Sequence, residues 1–449
     1  MRLPPAVIHQ TEEVLREILR FTGPADSTLS RYFRDHPRLG SRERGVIAEG
    51  IYGLLRNKSV YSSFAESGGG SGGATMRKLT LLGLADAVGV DALGGVSEEE
   101  GEWLTRVMQI DRRLLQPSLR SNLPQWLFEK LVARDGEEQT LQLSDALNQQ
   151  APLDLRVNSI KASRSDVMAK LAEAPILCES TPYSTLGLRV LKKPALQNLP
   201  LFKEGAIEVQ DEGSQLLSQV VGAKRGEMVV DFCAGAGGKT LSLGAAMRNT
   251  GRLYAFDVSE KRLAKLKPRL ARSGLSNVHP VLIAHERDAK IKRLAGKIDR
   301  VLVDAPCSGL GTLRRNPDVK WRQTPESIVE LNAKQSAILD SAARLVKAGG
   351  RLVYATCSLL NEENEDIVNQ FLSSHPEFTL LPMKEVLAEQ KIALEMQDYL
   401  KLAPHLHHTD GFFAAAMVRK ALPVATVTAT EAAVDTATED TEAAPAPVD

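Results

Sequence analysis

Apolar residues recur along this chain with two periods, and the change between them falls near residue 150. Val14, Leu15, Ile18 and Leu19 draw one stripe at helical spacing, and Ile47, Ile51, Leu54 and Leu55 draw a second. Trp103, Leu104, Val107 and Met108 form a third, and Trp126, Leu127, Leu131 and Val132 a fourth. Gly68-Gly69-Gly70-Ser71-Gly72-Gly73 interrupts them with a loop-forming composition. Residues 1–145 are therefore expected to be an all-α domain broken by a mobile loop.

The pattern then shortens. Leu153 to Asn158 alternates apolar and polar positions as a half-buried strand does, Ser163 to Ala172 suits a short helix, and Leu186 to Val190 suits a second strand. Residues 146–205 read as a small α/β domain. From 206 to 420, short apolar runs alternate with helical stretches. The runs are Met228–Asp231, Leu253–Asp257, Val281–Ile283, Val301–Asp304 and Leu352–Ala355; Lys261–Ser273 and Gln335–Val346 are helical. Alternation at this spacing predicts a Rossmann-like, doubly wound, mostly parallel sheet. Phe412–Val418 is expected as a late strand at the sheet's edge. Residues 421–449 lack periodicity and read as a disordered acidic tail.

At 449 residues the chain is too long for one core. No apolar run reaches the about 18 residues that a membrane helix needs, and the start resembles no signal peptide. Four cysteines in this length do not make a disulfide framework, so a reducing cytoplasm is expected. The formal charge of zero is uneven: residues 1–150 carry −2, residues 151–420 carry +8 and residues 421–449 carry −6. The excess in the middle fits either a solvated surface or a polyanionic partner. Arg31 to Arg38 interleaves basic and aromatic residues, which suits an RNA-contacting surface or a salt-bridged helix face equally.

The first strand of the parallel sheet runs into Asp231-Phe232-Cys233-Ala234-Gly235-Ala236-Gly237-Gly238-Lys239-Thr240, with a helix from about Leu241. Glycines let a backbone turn tightly and approach a ligand. A phosphate-binding loop would need glycine where Cys233 stands, and a dinucleotide fingerprint would need it where Thr240 stands. What remains is a nucleoside site with acids at the strand ends. Asp257 suits a ribose diol, because a carboxylate accepts from both hydroxyls. S-adenosylmethionine has a ribose, an adenine and a sulfonium, but no phosphate.

Two thiols lie just past strand ends. Cys307 follows Val301-Leu302-Val303-Asp304-Ala305-Pro306, and Cys357 follows Leu352-Val353-Tyr354-Ala355-Thr356. In an open α/β sheet, ligands bind outside the carboxyl ends of the strands. These two strands are neighbours in the common order, about 5 Å apart, which would turn both sulfurs into one cleft. Cys178 reads as a small buried hydrophobe, and Cys233 as a packing or cofactor-lining residue. His405, His407 and His408 lack the companions of a metal site, and none is expected.

Asp304-Ala305-Pro306-Cys307-Ser308-Gly309 and Thr356-Cys357-Ser358 resemble the paired cysteine motifs of the Sun/Fmu-type RNA (cytosine-5) methyltransferases. Arg314–Trp321, Val209–Gln215 and Asp410-Gly411-Phe412-Phe413 are similar to further family segments, and the likeness spans roughly 200–420. Residues 1–145 more weakly resemble the NusB-like helical domain of the ribosomal RNA (RsmB-like) members. The resemblance implies that Cys357 is the nucleophile, Cys307 assists product release, and Asp304 contacts the target base. It implies a cofactor site for S-adenosylmethionine lined by Cys233, Ala234, Gly235, Ala236, Gly237, Gly238, Lys239, Asp257, Asp288 and Asp304. The family loop usually reads Cys-Ala-Ala-Pro-Gly-Gly-Lys, so Gly235 and Ala236 depart from it; His285-Glu286-Arg287-Asp288 is a loose match.

Carbon 5 of cytosine is a poor nucleophile until a thiolate adds to carbon 6, and this is why the chemistry needs a cysteine. The base must be unstacked to reach such a cleft, which favours RNA loops. Arg314, Arg315, Lys320 and Trp321 suit phosphate contacts and base stacking; an arginine–carboxylate cluster is the structural alternative. The expected function is methylation of carbon 5 of a cytosine in RNA, most simply 16S ribosomal RNA, by a cytoplasmic monomer without an obligatory protein partner. Another RNA such as tRNA, or a non-catalytic RNA-binding ribosome assembly factor on the same fold, are the alternatives. A DNA methyltransferase normally takes its nucleophile from the proline–cysteine motif, so Thr356-Cys357-Ser358 counts against it.

Overall fold

Strands buried on both faces are apolar throughout rather than alternating, and four runs of this kind form the centre of the molecule. The computed structural model describes residues 2–67, 75–192 and 194–421. The Gly68–Gly73 stretch and the acidic tail beyond Ala421 lie outside the described residues. Twelve strands are present among these: β1 Leu153–Val157, β2 Cys178–Ser180, β3 Gly187–Val190, β4 Ile207–Val209, β5 Met228–Asp231, β6 Arg252–Asp257, β7 Val278–Leu282, β8 Ile298–Asp304, β9 Val346–Thr356, β10 Phe378–Leu381, β11 Leu400–Leu402 and β12 Phe412–Arg419.

The large sheet has the order β10-β12-β9-β8-β5-β6-β7, with β11 also paired to β12. Strands β5 to β9 are mutually parallel, whereas β12 runs antiparallel to β9 and to β10. Val230, Val301, Val303, Leu352 and Tyr354 face one apolar layer, and Val229, Leu302, Val353 and Ala355 face the other. This is the doubly wound arrangement expected. The late strand β12, however, is interior: the antiparallel strands β10 and β11 cover its outer side, and Ala414–Met417 are fully buried. Its run of small residues suits that double burial better than an edge.

The small sheet, of order β2-β3-β1-β4, is wholly antiparallel and carries the helix Arg164–Glu173. Ser163 and Asp166 close a capping box at that helix's start, where their side chains satisfy amides that lack intrahelical partners. Strand β4 belongs to this sheet by pairing Leu155 with Val209, so the small unit extends past residue 205.

The N-terminal helices, Pro5–Ile18, Ala25–Asp35, Ser41–Arg56, Lys58–Ser67, Met76–Val88 and Glu98–Met108, enclose one core that runs from Leu3 to Val107. It uses the first three stripes seen in the sequence. The fourth stripe departs from it. Helices Gln125–Asp135 and Glu137–Leu147 pack Leu127, Leu131, Leu143 and Leu147 against Leu310, Leu313, Leu359 and Leu360. Their apolar face covers the segments that follow both strand-end cysteines rather than the N-terminal helices. No helix among the described residues is long and apolar enough to cross a membrane.

Candidate active site

Strand register decides where the thiols fall. The parallel pair β8–β9 sets Asp304 beside Ala355. Each chain then leaves the sheet, and the sulfur of Cys307 comes to 3.2 Å from that of Cys357. The Cys357 amide also donates to the Cys307 sulfur at 3.3 Å. Gly311 N–H donates to Cys357 O, and Gly411 N–H donates to Gly311 O, each at 2.8 Å, which ties the loop after Cys307 to both β9 and β12. A Cβ on Gly311 would fall 2.1 Å from Gly411 O, so no larger residue fits this crossing.

The glycine loop builds the opposite wall. Its helix, Gly238–Ala246, begins three positions earlier than the sequence pattern suggested, and Lys239 therefore sits in the first turn. Gly237, at φ +84°, caps that helix; a Cβ there would fall 2.1 Å from Leu266 Cδ1, so the loop lies directly on the helix Glu260–Ser273. Gly235 N–H donates to Asp257 Oδ2 at 2.8 Å, while Asp257 Oδ1 accepts from Ser259 N–H at 2.7 Å and meets Arg262 at 3.2 Å. Beneath the loop, Thr240 donates to Asp231 Oδ2 at 2.7 Å, and Asp231 Oδ1 is buried without a partner. Burial, above all, pushes the Asp231 carboxyl up to about 7.

Lys239 reaches across to Asp304, with Nζ 2.7 Å from Oδ2. Burial alone would lower the Lys239 pKa. The Asp304 carboxylate outweighs that effect, with Cys357 and Asp231 adding to it, and the lysine stays charged. Cys307 is driven the other way, well above the usual thiol range, first by its hydrogen bond with Cys357, then by burial and the electrostatic influence of Cys357, with Glu363 adding less. Burial and three nearby aspartates hold the Cys233 thiol well up as well.

The two walls enclose one cavity of ≈ 1360 Å³. Of the residues singled out from the sequence, Cys233, Ala234, Gly235, Ala236, Gly238, Lys239, Asp257, Asp304, Cys307, Arg315 and Cys357 face it. Gly237 supports the wall from behind. Asp288 does not line the cavity. Its carboxylate accepts from Ala284 N–H and Lys290 N–H, each at 2.9 Å, and those amides lower its pKa. It shapes the turn that presents Ile283 and Ala284 to the cavity.

The segment after Cys307 corrects the expectation of an RNA-facing basic patch. Arg314 and Arg315 are held by Asp410 and Asp211, the closest contacts being 2.9 Å for Arg314 and 2.5 Å for Arg315. Only Arg315 keeps a face on the cavity. Lys320 is 0% exposed and donates to Arg56 O at 2.9 Å and Asn148 Oδ1 at 2.8 Å. Trp321 Nε1–H donates to Leu55 O at 2.8 Å. The N-terminal helices cover Lys320 and part of Trp321, which join that core to the segment after Cys307. Arg31 likewise pairs with Glu17, and Tyr32 donates to Glu13 at 2.8 Å.

The sequence assigned no role to three residues that hold this site together. Asp211 and Asp410 anchor Arg315, yet they lie about two hundred positions apart in the chain and only the fold joins them. Glu363 is fully buried behind the thiols; in Asn361-Glu362-Glu363-Asn364 it reads as an ordinary charged turn.

The cavity also fits the methyl donor. Val258 and Ile283 offer apolar walls on either side of the Asp257 strand end, suited to an adenine. Gly235 leaves open space where a side chain would project, and the Asp257 carboxylate retains acceptor capacity beyond its present bonds. The fold and this cavity are those of an S-adenosylmethionine-dependent methyltransferase. Residues 218–418 match the 16S rRNA methyltransferase RsmB/F family, and residues 123–197 match the ferredoxin-like domain of RsmF/B-like methyltransferases. The chain is 33% identical over 433 residues to the probable ribosomal RNA small subunit methyltransferase B of Synechocystis sp., covering 90% of this chain and 97% of that one. It is 33% identical over 376 residues to ribosomal RNA small subunit methyltransferase B of Yersinia pseudotuberculosis, covering 84% and 82%. A methyltransferase homologue from Pyrococcus horikoshii superposes with a TM-score of 0.59 at 29% identity, covering 69% of this chain and 100% of that one. The chain belongs to the RsmB/F family of methyltransferases.

Proposed function

We propose that this protein methylates carbon 5 of a cytosine in RNA, with 16S ribosomal RNA of the cytoplasm as the substrate, through a covalent adduct on Cys357. The observation that carries this reading is the approach of Cys307 and Cys357 to 3.2 Å within the cavity that also holds the Lys239–Asp304 pair. The names of the relatives support the ribosomal substrate.

S-adenosylmethionine, held by the glycine loop and Asp257, supplies an electrophilic methyl group on its sulfonium. The protein's own groups prepare the base. Cys357 adds as the thiolate to carbon 6, and the ring electrons move toward nitrogen 3. The Lys239–Asp304 pair supplies a proton there, so no negative charge builds up on the ring.

Once carbon 5 carries the methyl group, its hydrogen must leave and the carbon–sulfur bond must break. Cys307 is kept as a thiol. It takes the proton from carbon 5 while passing its own to the departing Cys357 sulfur at 3.2 Å. The carbon–hydrogen electrons restore the ring double bond, the carbon–sulfur pair returns to Cys357, and nitrogen 3 gives its proton back to the Lys239–Asp304 pair. Incubation of the protein with labelled S-adenosylmethionine and unmodified small-subunit RNA tests the proposal. Label in 5-methylcytosine is expected, and binding of RNA without any methyl transfer would overturn it.

A further inference from the structure

The loops bearing the two thiols share one anchor. Glu363 lies in the short helix Asn361–Glu363 after β9 and is 0% exposed. Its Oε1 accepts from Ser308 N–H at 2.8 Å and from Gln335 Nε2 at 3.0 Å. Its Oε2 accepts from the Ser308 hydroxyl at 2.5 Å and from the Ser358 hydroxyl. Ser308 follows Cys307 and Ser358 follows Cys357, so a single carboxylate grips the neighbour of each sulfur. The Tyr354 hydroxyl in turn donates to the Glu363 carbonyl at 2.6 Å, fixing this turn to β9, the strand that ends just before Cys357.

Among the described residues Glu363 forms no ion pair. A buried carboxylate without a cation costs several kcal/mol unless hydrogen bonds replace its water. A glutamine could bridge the same serines without that cost, because serine hydroxyls donate or accept. The charge therefore has a role that shape does not explain. The carboxylate takes two bonds from Ser308, beside Cys307, and one from Ser358, beside Cys357, and its charge adds to what holds the Cys307 proton. Of the other titratable groups, Tyr354, which is kept neutral by burial, lies near Cys307, Glu363 and Cys233, and Asp304 pairs with Lys239.

We propose that Glu363 is a positioning residue that holds both thiol loops in register and decides which of the two adjacent sulfurs attacks. This rests on the cytosine-5 reading of the site. In the resting protein the carboxylate helps to keep the proton on Cys307, so the proton carrier does not take the nucleophile's role.

The test is alkylation of the full-length protein by iodoacetamide from about pH 6 to 9, where thiols titrate, with mass-spectrometric mapping of each cysteine. In the wild type Cys357 is expected to react first and Cys307 to lag. Glu363→Gln keeps the shape and removes the charge. The ratio of Cys307 to Cys357 labelling should rise about tenfold, which corresponds to one pH unit, and its pH midpoint should fall. With RNA and methyl donor, kcat should drop while KM for each substrate holds. Glu363→Ala releases both loops and should lower kcat by about 10² through misplacement; if it does not fold, the glutamine variant still decides. A glutamine variant with unchanged labelling overturns the proposal, whether or not its turnover falls. Alkylation needs neither RNA nor methyl donor, so a wild type that fails to methylate RNA refutes the cytosine-5 reading without disturbing this readout.

Discussion

Lys239 Nζ stands 2.7 Å from Asp304 Oδ2, the two side chains bridging the glycine loop and the end of β8. The family resemblance implied a place for Lys239 in the cofactor site. The contact instead gives it to the acid that would meet the base. Lys239→Met should therefore lower kcat by about 10² or more, the usual range for loss of a positioned proton donor. The dissociation constant for S-adenosylmethionine, measured by calorimetry, should change only a few-fold. Comparable weakening of cofactor binding and turnover would return Lys239 to the cofactor.

The sulfur pair makes a second, opposite set of expectations. Cys357→Ala removes the group that adds to carbon 6 and should abolish methyl transfer. Cys307→Ala leaves addition intact and removes the proton relay, so RNA should accumulate on the protein. The adduct would be visible as a retarded, nuclease-sensitive band on a denaturing gel, and the double variant Cys307→Ala/Cys357→Ala should show none. Normal turnover by Cys307→Ala would exclude the relay.

Which parts of this site could be read beforehand follows from the range of the interactions involved. Cys307 and Cys357 were legible because each ends a run of apolar residues, and strand adjacency in a doubly wound sheet does the rest. Asp257 and the glycine loop were legible for the same local reason. Asp288 was not: its carboxylate turns back on Ala284 and Lys290, which spacing along the chain does not reveal. Lys320 and Trp321 sit in a charged stretch that looks solvent-facing, and only the distant Leu55 and Arg56 bury them. The interior place of β12 depends on β10 and β11, short strands with little pattern of their own.

Asp231 should give the protein a measurable pH dependence. Its carboxyl titrates at about 7 in the fold against 3.8 for the ordinary group, because burial disfavours the charged form. The folded state therefore holds this proton more tightly than the unfolded chain does. The resulting stability is fully present below about pH 4 and is lost as pH rises toward 7, on the order of 4 kcal/mol in all. Asp231→Asn keeps an acceptor for Thr240 and has nothing to ionise. Urea unfolding at pH 5 and pH 8 should show a larger loss in the wild type than in the variant. Equal losses would mean that the carboxyl ionises in the fold without penalty.

Lys320 and Trp321 supply the last prediction, since a basic residue and an aromatic beside a nucleic-acid site invite an RNA role. A lysine that neutralises a phosphate contributes to the salt dependence of binding, and its removal lowers the slope of log K against log salt by about 1. Lys320 instead donates to Arg56 O and Asn148 Oδ1, and burial drives its pKa well down. Lys320→Met should leave the salt slope for RNA unchanged and destabilise the protein by about 1–3 kcal/mol, the cost of stranding buried acceptors. Trp321→Ala should cost up to about 3–5 kcal/mol, the range for truncating a large ring, because the half-buried ring packs on the N-terminal core. The salt slope and the unfolding midpoint move independently, so the pair of measurements separates an RNA contact from a joint between the helical core and the segment after Cys307.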